Sequence, residues 1–275
     1  SLESTLADLN LPAIRFYPCI GSTNDEALKW ITSGAMDRAL VIADEQTAGR
    51  GRLQRRWVTA PGTALAFSLI LLSPPITKKQ LPRLSGLGAV SVREALHRKY
   101  ALPAQIKWPN DILLNLKKVG GVLVDVIWSG ETLSAAVIGI GINIASDSVS
   151  AVNLPSIELN FPATCVENEL GYPIDRLELL HAILQEFIAW LPLLSSPDFI
   201  LAWESNLAFR GQWVELSRGD SLSHTQNENS VTPFEVRKVV GLSQDGSLRM
   251  ITKDGELVEV AVGEIHLRPS AMSQP

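Results

Sequence analysis

Four arginines, Arg50, Arg52, Arg55 and Arg56, crowd one short stretch, and the first two alternate with Gly49 and Gly51. Glycine reaches positive φ and lets backbone approach a ligand closely. Successive N–H groups can then cradle an anion, and each guanidinium adds a planar, permanently charged fork suited to carboxylate or phosphate. So many like charges repel unless an anion or water lies among them, and the chemistry indicated is anion capture by a loop closed by Trp57. A solvated basic loop is the plainer alternative. An RNA-binding arginine-glycine tract fits poorly, because the run is short, unrepeated and set between apolar strands.

A second group of residues carries similar chemistry. Lys107-Trp-Pro-Asn-Asp111 puts a lysine at the end of a strand, before a proline that stops pairing. Its ammonium is aimed into whatever cleft the sheet edge forms, although an exposed edge lysine is equally compatible. Lys118 is followed by Gly120 and Gly121, where a ligand or a second backbone could come close or a bulge could form. Gly139-Ile-Gly-Ile-Asn143 ends another strand in small residues and one amide, with no Walker or dinucleotide fingerprint. Ser22, Thr23 and Asn24 read first of all as the cap of a helix.

The elements that must position these residues follow from pattern. Residues 1–13 read as a lead-in, Ile14–Ile20 as a strand, and Gly21 to Gly34 as a capped helix with Asp25 and Glu26 in its positive first turn. Ala39–Ala43 is a short buried strand delivering Gln46 to the arginine loop, and Ala64–Leu72 a strand leaving it. Such apolar strands suit a sheet covered by helices on at least one face. Leu81–Tyr100 predicts a helix, Gln105–Trp108 and Ile112–Leu114 short strands, and Val119–Trp128 and Thr132–Ile144 a pair around Ser129-Gly130. Asp175–Leu194 and Ile200–Phe209 predict two more helices. From Arg210 the texture changes to short strands flanking Asp245-Gly246 and Asp254-Gly255, the pattern of a small β-barrel.

Composition narrows the function. The 275 residues are 46% hydrophobic and 19% charged, enough for one large domain or two unequal ones. A net charge of −5 argues against nucleic acid as the main ligand. Cys19 and Cys165 have no metal-like spacing and suggest reduced thiols in a cytoplasmic setting. No basic region followed by an apolar run opens the sequence, so no signal peptide is expected, and no apolar run is long enough for a membrane helix. His97, His181, His224 and His266 lack ligand spacing, and no protein-held metal is expected.

In order, Ser22-Thr-Asn24, Gln46 with Gly49-Arg-Gly-Arg52 and Trp57, Lys107-Trp-Pro-Asn-Asp111, Lys118 with Gly121-Val-Leu-Val, Gly139-Ile-Gly-Ile-Asn143 and Gly263-Glu-Ile-His-Leu-Arg268 resemble the biotin protein ligase family. The resemblance covers nearly the whole chain, with Gln54 standing where the family's loop usually has a last glycine. It implies an α+β fold: a mixed-sheet catalytic domain over residues 1–209 and an SH3-like barrel over 210–275. It implies two steps, attack of the biotin carboxylate on the α-phosphorus of ATP to give biotinyl-5'-AMP, then transfer to a lysine of a biotin carboxyl carrier domain of a biotin-dependent carboxylase. Mg²⁺ would arrive with the ATP.

By the same resemblance, Lys107 and Arg52 are catalytic. Ser22, Thr23, Asn24, Gln46, Gly49, Arg50 and Gly51, again with Arg52 and Lys107, bind biotin. Arg55, Trp57, Asn110, Gly120, Gly121, Asn143, Glu264 and Arg268 bind ATP or the adenylate. A homodimer is compatible with it. DNA binding is not expected, because only about a dozen residues precede the first strand, fewer than a helix-turn-helix requires. A lipoate or octanoate ligase, and a biotin-responsive regulator without catalysis, are the competing functions.

Overall fold

The computed structural model describes residues 1–52, 55–57, 59–150, 162–218, 235–261 and 265–269. Strands β1 (Ile14–Ile20), β2 (Leu40–Gln46), β3 (Ala64–Leu72), β4 (Gln105–Lys107), β5 (Asp111–Leu114), β6 (Lys117–Ser129) and β7 (Thr132–Asn143) form one sheet in the order β1-β2-β3-β7-β6-β5-β4. Only β1 and β2 run parallel; every other neighbouring pair is antiparallel, so the sheet is mixed. The helices are α1 (Leu2–Leu6), α2 (Thr23–Thr32), α3 (Pro82–Tyr100), α4 (Asp147–Ser150), α5 (Val166–Leu170), α6 (Arg176–Trp190) and α7 (Pro197–Ser205).

Both faces of the sheet are used. On one, Leu40, Ile42, Phe67, Leu69, Ile138 and Ile140 join Leu84, Leu87, Ile183, Leu184 and Phe187 of α3 and α6 in the main core. On the other, Val41, Ile70 and Val137 pack under Ala27 of α2. This alternation along β2 and β3 places α2, the connection between the parallel strands, where its N-terminus reaches the ends of β1 and β2. That helix end is where the polar residues gather.

Several elements differ from the sequence expectation, among them α4 and α5, which it did not contain, and β2, which runs on to Gln46. The lead-in holds α1, whose Ser1 cap receives the Ser4 N–H and whose Leu6 is buried. Helix α6 stops at Trp190 and passes into a 3-10 turn, Leu191–Leu193, because Pro192 offers no N–H. Helix α7 starts and ends before the expected Ile200–Phe209. Ser196 accepts from the Asp198 N–H at 3.0 Å, with Pro197 at the first helical position. At the other end, Ile106 N–H donates to the Asn206 carbonyl at 2.8 Å and Ala208 N–H to the Ile106 carbonyl at 2.9 Å. That backbone pairing takes Leu207–Phe209 out of the helix, although the residues remain apolar and buried.

The C-terminal strands β8 (Trp213–Arg218), β9 (Glu235–Leu242), β10 (Leu248–Ile251), β11 (Leu257–Val260) and β12 (Ile265–Pro269) make a second, antiparallel sheet of the SH3-like type, in the order β11-β10-β9-β8-β12. Asp245-Gly246 and Asp254-Gly255 lie in its hairpin turns, with Gly246 at φ +90° and Gly255 at φ +85°. Val214, Val239, Leu248 and Met250 belong to the same apolar cluster as the large sheet. Buried Arg83 of α3 donates to the carbonyls of Leu194, Ser196 and Gln244, tying α3 to the β9–β10 turn. Among the described residues, no helix is long and apolar enough to cross a membrane.

Candidate functional site

The site begins where α2 meets the ends of β1 and β2. Ser22 is the N-cap, its Oγ accepting from the Asp25 N–H at 3.4 Å. The Thr23 N–H and hydroxyl both donate to Gln46 Oε1, at 2.7 and 3.1 Å. Ser68 Oγ lies 2.7 Å from Thr23 Oγ1 and 2.6 Å from Asn24 Oδ1. Asn24 Nδ2 donates to Asp125 Oδ2 at 2.8 Å, and the Gln46 N–H to Thr59 Oγ1 at 2.9 Å. Ser22, Thr23, Asn24, Gln46, Thr59 and Ser68 are all buried. Burying so many polar groups beside an apolar sheet costs free energy unless each finds a partner. The network supplies those partners and a ready set of donors and acceptors for a ligand amide.

Glycine on β7 makes room for it. A Cβ on Gly139 would lie 2.0 Å from Asn24 Oδ1, so Asn24 fits only over a residue without a side chain. Two positions on, a Cβ on Gly141 would meet the Trp57 ring at 2.6 Å. Trp57 therefore rests on the backbone of β7, its buried Nε1 without a hydrogen-bond partner among the described residues. Gly120 faces the Gly141 carbonyl across the sheet, and Gly121 sits beside the Asp111 carboxylate and Lys118. Asn143 is buried and its amide donates to the Thr164 carbonyl at 3.0 Å.

The arginine loop folds back on itself. Gly51 N–H donates to the Arg55 carbonyl at 2.6 Å and Trp57 N–H to the Gly49 carbonyl at 2.8 Å, with an antiparallel bridge between Arg50 and Arg56. Its charges then separate. Arg50 lies 2.7 Å from Asp25 and 2.8 Å from Asp125. Its guanidinium pKa is raised: partial burial works against the charge, but Asp125 and Asp25 outweigh it. Arg52 instead crosses to the second motif, Nη1 donating to Asn110 Oδ1 at 3.2 Å, while Asn110 Nδ2 donates to the Val122 carbonyl at 3.0 Å. Arg56 is exposed, its guanidinium 3.5 Å from the Thr47 carbonyl.

The second motif forms a charged cluster. Lys107 on β4 is opposite Asp111 on β5 in register and is only 5% exposed. Its Nζ lies 3.4 Å from Asp111 Oδ2, and Lys118 Nζ lies 2.5 Å from Asp111 Oδ1. Burial lowers the Lys107 pKa, with Asp111 opposing. Burial pushes the Asp111 carboxyl up, yet Lys118 and Lys107 more than reverse this and bring it to about 2. Two ammonium groups thus share one carboxylate.

Sequence reasoning gave no ligand-binding or catalytic role to Lys118, Asp111, Asp25, Asp125, Ser68 or Thr59. Lys118 joins the cluster through a bulge: register passes from Ile112↔Gly120 to Leu113↔Lys118, leaving Val119 as the extra residue. The bulge brings Lys118 to the face that Asp111 shares with Gly121, where strict alternation would turn it away. The Gly120-Gly121 pair was the available signal. Asp25 and Asp125 are far from Arg50 in sequence and gave none. Glu264 lies outside the described residues, and Arg268 is placed only by its backbone pairing with Glu215. Among the described residues, no group of three or more His, Cys, Asp or Glu could hold a metal ion.

A mixed seven-stranded sheet with an SH3-like sheet attached matches the fold of biotin protein ligase structures. Residues 16–143 match the biotin/lipoate A/B protein ligase family. The chain is 35% identical over 208 residues to the biotin–[acetyl-CoA-carboxylase] ligase of Paracoccus denitrificans, covering 74% of this chain and 84% of that one. It is 38% identical over 169 residues to the bifunctional ligase/repressor BirA of Bacillus spizizenii, covering 62% of this chain, and so spans about half, 50%, of that relative's length. The biotin protein ligase of Aquifex aeolicus, solved with biotin and ATP, superposes with a TM-score of 0.72 at 29% identity, covering 94% of this chain and 100% of that one. The chain belongs to the biotin/lipoate A/B protein ligase family.

Proposed function

We propose that this protein joins biotin to a lysine of a carrier protein in two steps at one site. The biotin carboxylate attacks the α-phosphorus of ATP, forming biotinyl-5'-AMP and releasing pyrophosphate. The carrier lysine, as the free amine, then attacks the acyl carbon; AMP leaves and the amine loses a proton. The observation that carries the reading is the cluster of Lys107, Lys118 and Arg52 next to the buried network of Thr23, Asn24, Gln46 and Ser68. Carboxylate and triphosphate repel each other, and fixed positive groups in a water-poor site offset that repulsion as they meet.

Within this reading, Ser22, Thr23, Asn24 and Gln46 face the ureido ring, which presents both N–H and C=O. A lipoyl dithiolane has no such groups and would leave the buried network unanswered. Lys107 and Arg52 hold the carboxylate and α-phosphate, with Lys118 beside them. Arg55, Trp57 and Asn110 lie toward the nucleotide. Mg²⁺ is proposed to come with the triphosphate. The partner proposed is the biotin carboxyl carrier domain of a biotin-dependent carboxylase, met in the cytoplasm where ATP is abundant. The catalytic part is assigned to residues 1–209 and the small sheet to 210–275. Biotin-dependent exchange of labelled pyrophosphate into ATP, with no carrier present, tests the first step. Exchange supported by lipoate or octanoate and not by biotin would overturn the proposal.

A further inference from the structure

We infer that Arg50 is a fastening residue: it pins the arginine loop to α2 and β6 through Asp25 and Asp125 and does not receive the ligand's anion. The inference rests on the proposed function only for what the ligand is. Its geometric basis is the guanidinium shared between two carboxylates, 2.7 Å from Asp25 and 2.8 Å from Asp125. One positive and two negative charges sum to a net negative group, so an incoming carboxylate or phosphate meets repulsion there, not capture. Across the site, Lys107 and Lys118 share the Asp111 carboxylate, and Arg52 reaches Asn110.

The fastening points sit at the rim of the buried network. Asp25 is in the first turn of α2, next to Asn24, and Asp125 Oδ2 also accepts from Asn24 Nδ2 at 2.8 Å. Arg50 lies in the backbone ladder that joins Gly49 to Trp57 and Gly51 to Arg55. Holding Arg50 therefore holds that ladder against the side of the sheet where Asn24 is seated. Arg50 is a positioning residue in this arrangement, acting on the ligand through the loop.

The two roles predict opposite signs on removing an acidic partner. Asp25→Asn and Asp125→Asn keep shape, delete one charge each and turn one acceptor oxygen into a donor. If Arg50 fastens the loop, either change loosens it. If Arg50 is the anion receptor, either change frees it and tightens binding. The experiment uses the full chain in two arms. In the first, amide hydrogen exchange is followed at Gly51 and Trp57 without ligand, with the β3 and β7 amides as the check on the fold. Each variant is expected to speed loop exchange about two- to fivefold, the scale of a partly exposed ion pair, leaving β3 and β7 unchanged. Adding Asp25→Asn to Arg50→Met should bring no further change, because the partner is already gone. In the second arm, titration calorimetry with biotin should show affinity falling about two- to fivefold in each acidic variant.

Unchanged loop exchange, an additive double variant, or tighter biotin binding in Asp25→Asn or Asp125→Asn would each overturn the inference. Failure of the wild type to bind biotin would sink the ligase reading, while the exchange arm would still decide the fastening.

Discussion

Lys107→Ala is the substitution that probes the proposed chemistry most directly. Lys107 comes off β4 at 5% exposure, its ammonium 3.4 Å from Asp111. Truncation does not strand Asp111, because Lys118 remains 2.5 Å from its other oxygen. The fold is therefore expected to survive, and the loss falls on the site, which gives up one positive charge. A hydrogen bond to a charged group contributes roughly 1.5–3 kcal/mol. At about 1.4 kcal/mol per tenfold, adenylation should slow on the order of 10- to 150-fold, with more expected if closure excludes water. Biotin capture should change less, because the ureido ring is proposed to lie against Thr23, Asn24 and Gln46. Exchange of labelled pyrophosphate into ATP isolates adenylation, and transfer of preformed biotinyl-adenylate to carrier lysine reports the second step. The variant should lose exchange by the stated factor and retain transfer more nearly intact. Unimpaired exchange, or equal loss in both assays, would refute the assignment of Lys107 to the adenylation step.

Gly139→Ala should cost about 1–3 kcal/mol, read as a lowered Tm, because the new Cβ would lie 2.0 Å from Asn24 Oδ1 and the surrounding network has little room to yield. An unchanged Tm would mean that Asn24 is not seated where described. The Asp111 carboxyl, lowered from 3.8 to about 2, contributes stability that is fully present above its unfolded value and lost as pH falls through the folded one. Wild-type stability should therefore decline between about pH 4 and pH 2 more steeply than that of Asp111→Asn, as followed by denaturant unfolding across that range. Trp108→Phe removes the indole N–H that donates to the Gly246 carbonyl at 3.0 Å, linking the lysine strand to the small sheet. Unfolding should reveal a loss of about 1 kcal/mol, with more for the orphaned carbonyl if water cannot reach it.

The sequence by itself determined most elements and marked the arginine loop and Lys107–Asp111 as stretches able to do chemistry. Strand β3 and helices α3 and α6 were legible because apolar periodicity and capping act within a few residues. The limits of α7 were not, because the apolar run through Phe209 looks helical until Ile106 claims its backbone. The tertiary structure alone decided which charges meet. Lys118 turns toward Asp111 only because a bulge breaks the alternation of β6. Arg50 and Arg52 are two residues of one type in one glycine-rich loop, and local pattern alone does not separate them. They differ because folding brings Asp25 and Asp125 to the first and Asn110 to the second. Local propensity acts over a turn of chain, whereas a charge takes its role from whatever lies within a few ångströms after folding, and sequence distance carries no record of that.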